Sequence, residues 1–351
     1  MQLYNRVDRR VLEEQMANDS LTRITLSFYQ YHQIQNPDIF RNYFYDGLNQ
    51  LGALGRIYIA SEGINAQMSV PKENFDAYLE FMDGVSFLKG IRQNIAVEAE
   101  DLSFIKLTVK VRTKILADGL SDDTFDVTNK GKHLSAQEFN DIISKDDTVL
   151  IDMRNHYESE VGHFEGAVKP DVDTFRDSLP VIEEMLEPHK DQNIVMYCTG
   201  GIRCEKASAW FKHKGLENVH QLEGGIIEYT RQVKEDGLEN KFIGKNFVFD
   251  KRMGERISEE VIAKCHQCGE ACDTHTNCEN QACHLLFIQC DKCKAKYDGC
   301  CSKECTDFIH LPEEEQERLR KEIDWAKVGE YEKGRIRPKL TEQLRLRLKS
   351  L

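Results

Sequence analysis

The stretch "NIVMYCTGGIRCEKASAW", residues 193–210, joins a short apolar segment to a run of helix-forming residues. The apolar segment predicts a buried strand and the run predicts a helix, so Cys198 lies where the strand gives way to the helix. Gly200 and Gly201 let the backbone curl there, so that the first amides of the helix converge. Converging amides bind anions and favour the thiolate form of Cys198, with Arg203 adding positive charge. The sequence therefore predicts a reactive cysteine rather than an inert cysteine in a glycine turn.

The spacing between cysteine and arginine separates two kinds of anion-binding loop. Cysteine-based phosphatases place five residues between them, in a loop that holds a tetrahedral phosphate, and usually carry a histidine before the cysteine. Here Tyr197 precedes Cys198, and four residues stand before Arg203: Thr199, Gly200, Gly201 and Ile202. The shorter loop favours an extended sulfur species over a phosphate and disfavours a phosphatase.

Strand-then-helix units repeat on both sides of this loop, over residues 135–237. "SAQEFNDIIS" predicts a helix capped by Ser135, and "TVLIDM" predicts a buried strand. "TFRDSLPVIEEML" predicts a helix broken at Pro180, and "VHQLEGG" followed by "IIEYTRQVKEDG" repeats the unit. Strands separated by helices predict a parallel sheet with helices on both faces.

Residues 1 to about 125 show a different order of elements. Alternating apolar residues in "TRITLSFYQY" predict a strand, and "NPDIFRNYFYDGLNQL" predicts a helix. The apolar face of this helix is expected to carry five residues: Ile39, Tyr43, Phe44, Leu48 and Leu51. "GRIYIA" and "INAQMSV" predict two more strands, and after a second helix "SFIKLTVKVR" is expected to close the sheet. This order is that of a ferredoxin-like or acylphosphatase-like sandwich.

The motifs around the loop resemble those of a rhodanese domain. "IDMRNHYESEVGHFEGA" stands upstream of "CTGGIRC", with Glu158 four residues after the Asp-x-Arg pair, and "LEGGIIEY" stands downstream. The resemblance implies that Cys198 carries a persulfide in a loop formed by Thr199, Gly200, Gly201, Ile202, Arg203 and Cys204. It also implies that Asp152 and Arg154 brace this loop. His163 is expected to order its turn, with proton transfer as the alternative.

The chain as a whole resembles a bacterial family, the rhodanese-domain tRNA uridine 5-hydroxylases. "EGINAQ", "CTGGIRCEKASAW", "GKNFVFDKRMGERI" and a cysteine cluster follow one another in that family's order, over about residues 20–305. The resemblance implies a tRNA-modifying oxidoreductase that makes 5-hydroxyuridine at the wobble position of the anticodon loop, with molecular oxygen as co-substrate. No nucleotide cofactor is expected, because Gly200 and Gly201 do not form the G-x-G-x-x-G pattern.

Hydroxylation at carbon 5 of uridine needs activation of a carbon that is only mildly nucleophilic. A thiolate that adds to carbon 6 makes carbon 5 enolate-like, so we hypothesise that Cys198 either adds in this way or carries an oxidised sulfur. The loop amides and Arg203 would stabilise the anion that forms. Cys204 could resolve an oxidised Cys198, or it could simply pack in the first helical turn. A sulfurtransferase and a non-catalytic scaffold are the alternative functions; the flanking domains argue against the first and the loop against the second.

An enzyme can reach the wobble base only if the base is turned out of the anticodon loop and stacked on an aromatic side chain. Three tyrosines are candidates, each with a place in the sandwich core as the alternative: Tyr29, Tyr31 and Tyr58. Three basic residues near the last strand could contact phosphate or form an ordinary solvated face: Lys110, Arg112 and Lys114. Arg56 and Asn65 flank the "SEGIN" turn, where acylphosphatase-like folds often bind anions.

Ten of the twelve cysteines lie between residues 265 and 305. Two C-x-x-C pairs predict one tetrahedral zinc site: Cys265, Cys268, Cys290 and Cys293. Four further cysteines predict a second, interleaved site: Cys278, Cys283, Cys301 and Cys305. The spare candidates are Cys272, Cys300, His275 and His284. The expected role is structural, and an iron–sulfur cluster or reduced, unliganded thiols are the alternatives.

Length and composition agree with a protein of several domains. The chain has 351 residues and a formal net charge of −13, which disfavours nonspecific nucleic-acid binding by the whole surface. No signal peptide or membrane span is evident, so a cytoplasmic protein is expected. We predict a ferredoxin/acylphosphatase-like domain at 1–125, a rhodanese-like domain at 126–238, a zinc-binding region at 239–310 and a charged helical or partly disordered tail at 311–351. The tail is basic between Lys333 and Lys349, which is typical of a solvated helix.

Overall fold

The computed structural model describes residues 11–12, 21–97, 103–121 and 124–322. The basic residues predicted between 333 and 349, and with them most of the predicted tail, lie outside the described residues. Within the described ranges, no helix has the length and apolar character needed to cross a membrane.

From residue 21 onward, the described part of the N-terminal domain is a five-stranded sheet with two α-helices. Its elements are β1 (Arg23–Tyr31), α1 (Pro37–Gln50), β2 (Leu54–Ala60), β3 (Gly63–Pro71), α2 (Phe75–Asp83), β4 (Asn94–Ile95) and β5 (Leu107–Val111). The strands lie in the order β4-β1-β3-β2-β5, with β2 and β5 parallel and the other pairs antiparallel. This is the expected strand–helix–strand–strand–helix–strand order with one strand added.

Two details of this domain differ from the prediction. The segment expected to close the sheet, β5, forms one edge beside β2, while the unpredicted two-residue strand β4 forms the other edge beside β1. On α1, Phe44 and Leu48 are buried as expected, but Ile39 and Tyr43 are 66% and 52% exposed. The buried face of α1 is narrower than its apolar spacing predicts, because the sheet covers only the side that carries Phe44 and Leu48.

The two faces of the N-terminal sheet differ in chemistry, and this difference positions the site. Along β1, Leu26 and Phe28 alternate into the core with the helices, while Ser27 and Tyr29 point to the other face. The second face carries polar side chains from β1, β2 and β3, and neither α1 nor α2 packs on it. It faces the next domain across a cleft.

The central domain is a parallel α/β sheet with helices on both faces, as predicted. Its elements are β6 (Lys132–Leu134), α3 (Ala136–Ile143), β7 (Thr148–Asp152), α4 (His156–Ser159), β8 (Gly162–Phe164), α5 (Phe175–Leu186), β9 (Asn193–Tyr197), α6 (Ile202–His213), β10 (Val219–Leu222) and α7 (Gly225–Asp236). The four main strands run parallel in the order β6-β10-β9-β7. On β9, Ile194 and Met196 enter one core cluster, and Val195 and Tyr197 enter the other.

The predicted break at Pro180 is wrong. Helix α5 runs through it, and the flanking Leu179 and Ile182 are both buried against the sheet. Proline costs a helix interior a hydrogen bond, but burial of this apolar face keeps the helix continuous. The capping prediction for α3 is confirmed, since Ser135 and Glu138 form a capping box.

The C-terminal part extends the central domain and then forms small cysteine-rich units. β11 (Phe242–Asn246) pairs with β8 and with β12 (Glu255–Arg256), and β13 (His275–Asn277) pairs with β14 (Leu286–Ile288). Three helices follow: α8 (Asp291–Lys296), α9 (Lys303–Ile309) and α10 (Glu313–Glu322).

Candidate active site

The loop after β9 curls around the sulfur of Cys198. Gly201 caps α6 with a φ of +98°, a left-handed conformation that favours glycine, and its amide donates to Cys198 Sγ at 3.1 Å. A Cβ at position 201 would also lie 2.7 Å from the hydroxyl oxygen of Tyr29. The glycine is therefore required both by the backbone and by the close approach of the N-terminal domain.

The surroundings of Cys198 favour its thiolate. Burial alone would raise the pKa of this thiol, but hydrogen bonds from Cys204 and from backbone amides, together with the charge of Arg203, lower it to about 6. Burial and the neighbouring Cys198 raise the pKa of Cys204 well above its usual value. Cys204 is thus a protonated donor to the Cys198 thiolate, packed in the core beneath the first turn of α6.

Cys198 has no exposed surface in this structure, although it belongs to the residues that line the cleft. The loop amides point towards the sulfur, as the sequence predicts, but the sulfur itself is enclosed. The amides reach the sulfur because the helix begins directly beneath it, whereas its exposure depends on the domain packed above, which the loop sequence does not reveal.

Arg203 is held by a carboxylate as well as placed near the sulfur. Its guanidinium makes a two-pronged contact with Glu158, at 2.6 Å to Oε1 and 2.8 Å to Oε2, and both side chains are buried. Thr199 stands at the edge of this pair, with its Oγ1 at 3.5 Å from Glu158 Oε2. Glu158 thereby fixes Arg203 against the loop, a role that its place in the motif did not disclose.

Asp152 and Arg154 lie behind the loop and contact the end of β9 through Tyr197. Arg154 binds both oxygens of Asp152 and donates to the carbonyl of Gly162 at 2.7 Å. The Tyr197 hydroxyl donates to Asp152 at 2.7 Å, which ties this pair to the residue before Cys198. His163 contacts the carbonyl of Ser159 through Nδ1 at 2.9 Å, a contact that orders its turn.

A cleft of about 820 Å³ separates the polar face of the N-terminal sheet from the Cys198 loop. Tyr29, Tyr58, Arg56 and Asn65 all line it, so the alternative that placed Tyr29 and Tyr58 in the sandwich core is wrong. They belong to the strand positions that alternate away from the helices. Tyr31 is outside the cleft lining, and its ring lies 5.2 Å from the Lys206 ammonium.

The three basic residues near β5 have different surroundings. Lys110 and Arg112 are exposed, and the Arg112 guanidinium lies 5.5 Å from the ring centre of Tyr58, at the cleft. Lys114 instead binds Asp118 at 2.7 Å and the carbonyl of Leu120 at 2.6 Å. Lys110 and Arg112 thus stay candidates for contacts with phosphate, whereas Lys114 is engaged within the protein.

The structure brings each predicted cysteine set together. Within each group, the four sulfur atoms all lie within 4.8 Å of one another. The first group is Cys265, Cys268, Cys290 and Cys293, and the second is Cys278, Cys283, Cys301 and Cys305. A tetrahedral Zn²⁺ with bonds of about 2.3 Å sets its sulfurs roughly 3.8 Å apart. Cys268 and Cys290 are 3.6 Å apart, and Cys283 and Cys301 are 3.7 Å apart, so both groups fit zinc. The four spare candidates belong to neither group.

Comparison with known proteins covers all three parts of the chain. Three family models match, described as UPF0176 acylphosphatase like domain at 23–115, Rhodanese-like domain at 135–232 and Rhodanase C-terminal at 243–306. A protein of Leptospira interrogans named tRNA uridine(34) hydroxylase is 50% identical over 97% of this chain and 92% of its own length. One of the same name from Pectobacterium carotovorum is 56% identical over 91% of this chain and 90% of its own length.

The chain belongs to the tRNA uridine(34) hydroxylase family. The family resemblance inferred from the motifs is thereby confirmed, as is the fold class of an acylphosphatase-like domain, a rhodanese domain and a cysteine-rich cluster. The relatives carry a hydroxylase name, so the sulfurtransferase alternative is not favoured.

Several cleft residues of this hydroxylase-family chain were not predicted. Arg252 is clamped between Asp250 and Glu255, and all three line the cleft. The sequence signal that could have pointed to these three residues is the "FDKRMGERI" motif that contains them. The sequence alone, however, gives no reason to place this motif opposite the N-terminal sheet. Burial raises the pKa of Glu255 despite its contact with Arg252. Asn94 on β4 also lines the cleft and touches the loop, and no sequence pattern marks it.

Proposed function

We propose that this protein hydroxylates carbon 5 of uridine 34 in tRNA, with Cys198 as its reactive group. The observation that carries the proposal is a cysteine with a pKa of about 6 at the wall of a cleft between two domains. The cleft volume of about 820 Å³ lies within the range of small-molecule sites and suits one extruded nucleoside. The names of the relatives support the same reaction.

The proposed chemistry begins with addition of the Cys198 thiolate to carbon 6 of uracil. The electron pair of the 5,6 double bond moves towards O4, and carbon 5 then attacks an electrophilic oxygen. Loss of the carbon 5 proton and departure of the thiolate restore the double bond. Overall, one atom of dioxygen enters the C–H bond. The other leaves as water, with two protons and two electrons from a reductant, for which we propose two thiols that are oxidised to a disulfide.

The residues of the loop have distinct roles in this proposal. Converging amides and Arg203 hold the thiolate, while Glu158 keeps Arg203 in place. Asp152 and Arg154 hold the end of β9 through Tyr197. Because Cys198 is fully buried, the side chains that cover it must move when the nucleobase enters.

We propose that the anticodon loop of tRNA enters beside β2 and β5. Lys110 and Arg112 supply positive charge at this edge of a protein whose net charge is −13. Tyr58 lies next to Arg112, and Tyr29 lies against the loop at Gly201, so either ring can stack on a base. The reaction is assigned to the cytoplasm.

We also propose a structural zinc ion in each cysteine group. When bound, zinc supplies cross-links between separate segments of the chain. Cys265, Cys268, Cys290 and Cys293 join the chain before β13 to α8, and the second group joins the β13–β14 turn to α9.

Nucleoside mass spectrometry of tRNA tests the proposed function. Cells that lack this activity are complemented with wild-type protein, with Cys198→Ala or with Cys272→Ala, a matched change outside the loop and both metal groups. Wild type and Cys272→Ala are expected to restore 5-hydroxyuridine-derived nucleosides, and Cys198→Ala is expected to restore none. Restoration by Cys198→Ala would remove the cysteine from the mechanism.

A further inference from the structure

Asn94 is fixed by the loop that holds Cys198. It lies on the edge strand β4, opposite Ser27 of β1, and its Nδ2 donates to the carbonyl oxygen of Gly200 at 3.3 Å. A carbonyl oxygen can only accept a hydrogen bond, so this contact settles which end of the side-chain amide carries nitrogen. The oxygen Oδ1 therefore points away from Gly200.

That oxygen is a buried acceptor for which the described residues supply no donor. Asn94 is only 5% exposed, and within the described part of the chain Oδ1 has no hydrogen-bond partner. A buried polar atom left unpaired destabilises a protein, so such an atom at a cleft indicates a missing donor. Asn94 lines the same cleft as Cys198, so that donor can come from a bound ligand.

The chemistry of uracil supplies one suitable donor. In a uridine nucleotide the base has a single N–H, at N3, which lies across the ring from carbon 6. If a sulfur in the loop approaches carbon 6, the N3 edge points away from the sulfur and towards the wall of the cleft. Cytosine presents an unprotonated nitrogen at the same position, which would face the Asn94 oxygen with one acceptor against another.

We infer that Asn94 selects uracil over cytosine by accepting a hydrogen bond from N3–H of the target base. The inference rests on the proposed function and adds to it the residue that reads the base. Asn94 would act by positioning the base rather than by taking part in bond making. Recognition of this kind is strong because the wrong base leaves a buried polar group unpaired.

Binding of short anticodon stem-loop RNAs to the full-length protein tests this inference. Three RNAs differ at position 34 only: uridine, 3-methyluridine, which lacks the N3 donor, and 2′-deoxyuridine, which lacks the ribose hydroxyl. Wild type is expected to bind the uridine RNA about tenfold more tightly than the 3-methyluridine RNA. In Asn94→Ala the affinity for uridine should fall to the level of 3-methyluridine.

A matched control separates recognition from folding. Asn140 is also a buried asparagine, but both ends of its amide have partners, Tyr229 and the carbonyl of Glu239, outside the cleft lining. Asn140→Ala should keep the tenfold preference, even if it lowers thermal stability. A structural role of Asn94 would weaken all three RNAs alike, whereas recognition removes only the difference between them.

Three results would overturn the inference. They are an unchanged preference in Asn94→Ala, equal weakening of all three RNAs, and a weakening in Asn94→Ala that is confined to the two RNAs that keep the ribose hydroxyl, which would assign Asn94 to the ribose. The absence of any binding by wild type would also count against it. Hydroxylation is assayed on the same samples, so that wild type which prefers uridine but makes no 5-hydroxyuridine would contradict the proposed function alone.

Discussion

The ionisation of Cys198 is the most direct test of the loop. An ordinary thiol has a pKa near 9.0, and the surroundings of Cys198 lower its pKa to about 6. At pH 7.4 these values correspond to roughly 95% thiolate against roughly 2–3%. We therefore expect the alkylation of Cys198 by iodoacetamide to rise with pH and to level off near pH 7, about two to three units earlier than an ordinary thiol.

The assay follows the peptide that carries Cys198 by mass spectrometry of the full-length protein after timed alkylation. Because Cys198 is buried, slow entry of the reagent lowers the rate by a constant factor and leaves the midpoint unchanged. Cys204 should stay unmodified at neutral pH, since its pKa is raised well above its usual value. The cysteines of the two C-terminal groups lie on other peptides and do not interfere.

Removing the hydrogen-bond donor adds a directed perturbation. In Cys204→Ala the thiolate loses the contact from Cys204, which contributes to its low pKa. Hydrogen bonds to charged groups contribute about 1.5–3 kcal/mol, so the midpoint should rise by about one to two pH units. Cys272→Ala, a control distant from the loop in sequence, should leave it unchanged. A wild-type midpoint at or above pH 8.5 would refute the reasoning, because the amides would then not hold a thiolate.

The same pKa shift predicts a pH dependence of stability. The folded-state pKa is lower than the unfolded one, so the stabilisation is fully present above pH 9 and is lost as the pH falls through 6. Between pH 5 and pH 7.4, wild type should gain about 2 kcal/mol over Cys198→Ser in free energy of unfolding. Denaturant titrations of both proteins measure this difference, and a constant offset across that range would contradict it.

Three further predictions concern the supporting parts of the site. Glu158→Gln leaves the buried Arg203 without its charge partner and should lower the free energy of unfolding by about 3–5 kcal/mol in denaturant titrations. The control Glu187→Gln, at an exposed ion pair, should change the free energy of unfolding by less than about 1 kcal/mol. Metal analysis should find two zinc ions per chain, and Cys290→Ser should lose one of them and speed hydrogen exchange around β14; a full count in that variant would contradict the assignment. Arg112→Glu should weaken tRNA binding and lower the salt dependence of the affinity by about one unit of slope, and an unchanged slope would place the RNA elsewhere.

The loop could be predicted from sequence because its determinants are local. Six consecutive residues at a strand–helix junction place Cys198, the amides and Arg203 together, and the same holds for the interleaved cysteines, whose C-x-x-C spacing preselects their partners. The cap at Ser135 is likewise a four-residue pattern. Local rules failed at Pro180, where burial of a helix face outweighs the preference of a single residue.

The cleft could not be predicted because it forms between segments far apart in the chain. In the sequence, Tyr29 and Tyr58 look like ordinary strand residues. Only the packing of the N-terminal domain against the central domain decides whether they face a core or a ligand. Asn94 carries no motif-level signal of a site, and the motif that contains Glu255 does not by itself place it at the cleft. Their roles depend on distances that sequence periodicity does not encode.

The placement of the N-terminal domain over the loop follows from a buried charge cluster rather than from apolar packing alone. Lys206 lies near the start of α6, close to the loop, and its side chain has almost no exposed surface. Its ammonium contacts Glu62 at 2.7 Å and Asp118 at 3.4 Å. Glu62 sits in the turn between β2 and β3, and Asp118 follows β5, so one lysine joins the helix of the active loop to two segments of the N-terminal region. A buried cluster of this kind contributes more to a defined geometry than to stability, since apolar residues could pack there as well. A sulfurtransferase loop alone does not need a second domain fixed above it, whereas a site that must hold one base at a set distance from a sulfur does. This requirement links the buried lysine to the proposed reaction.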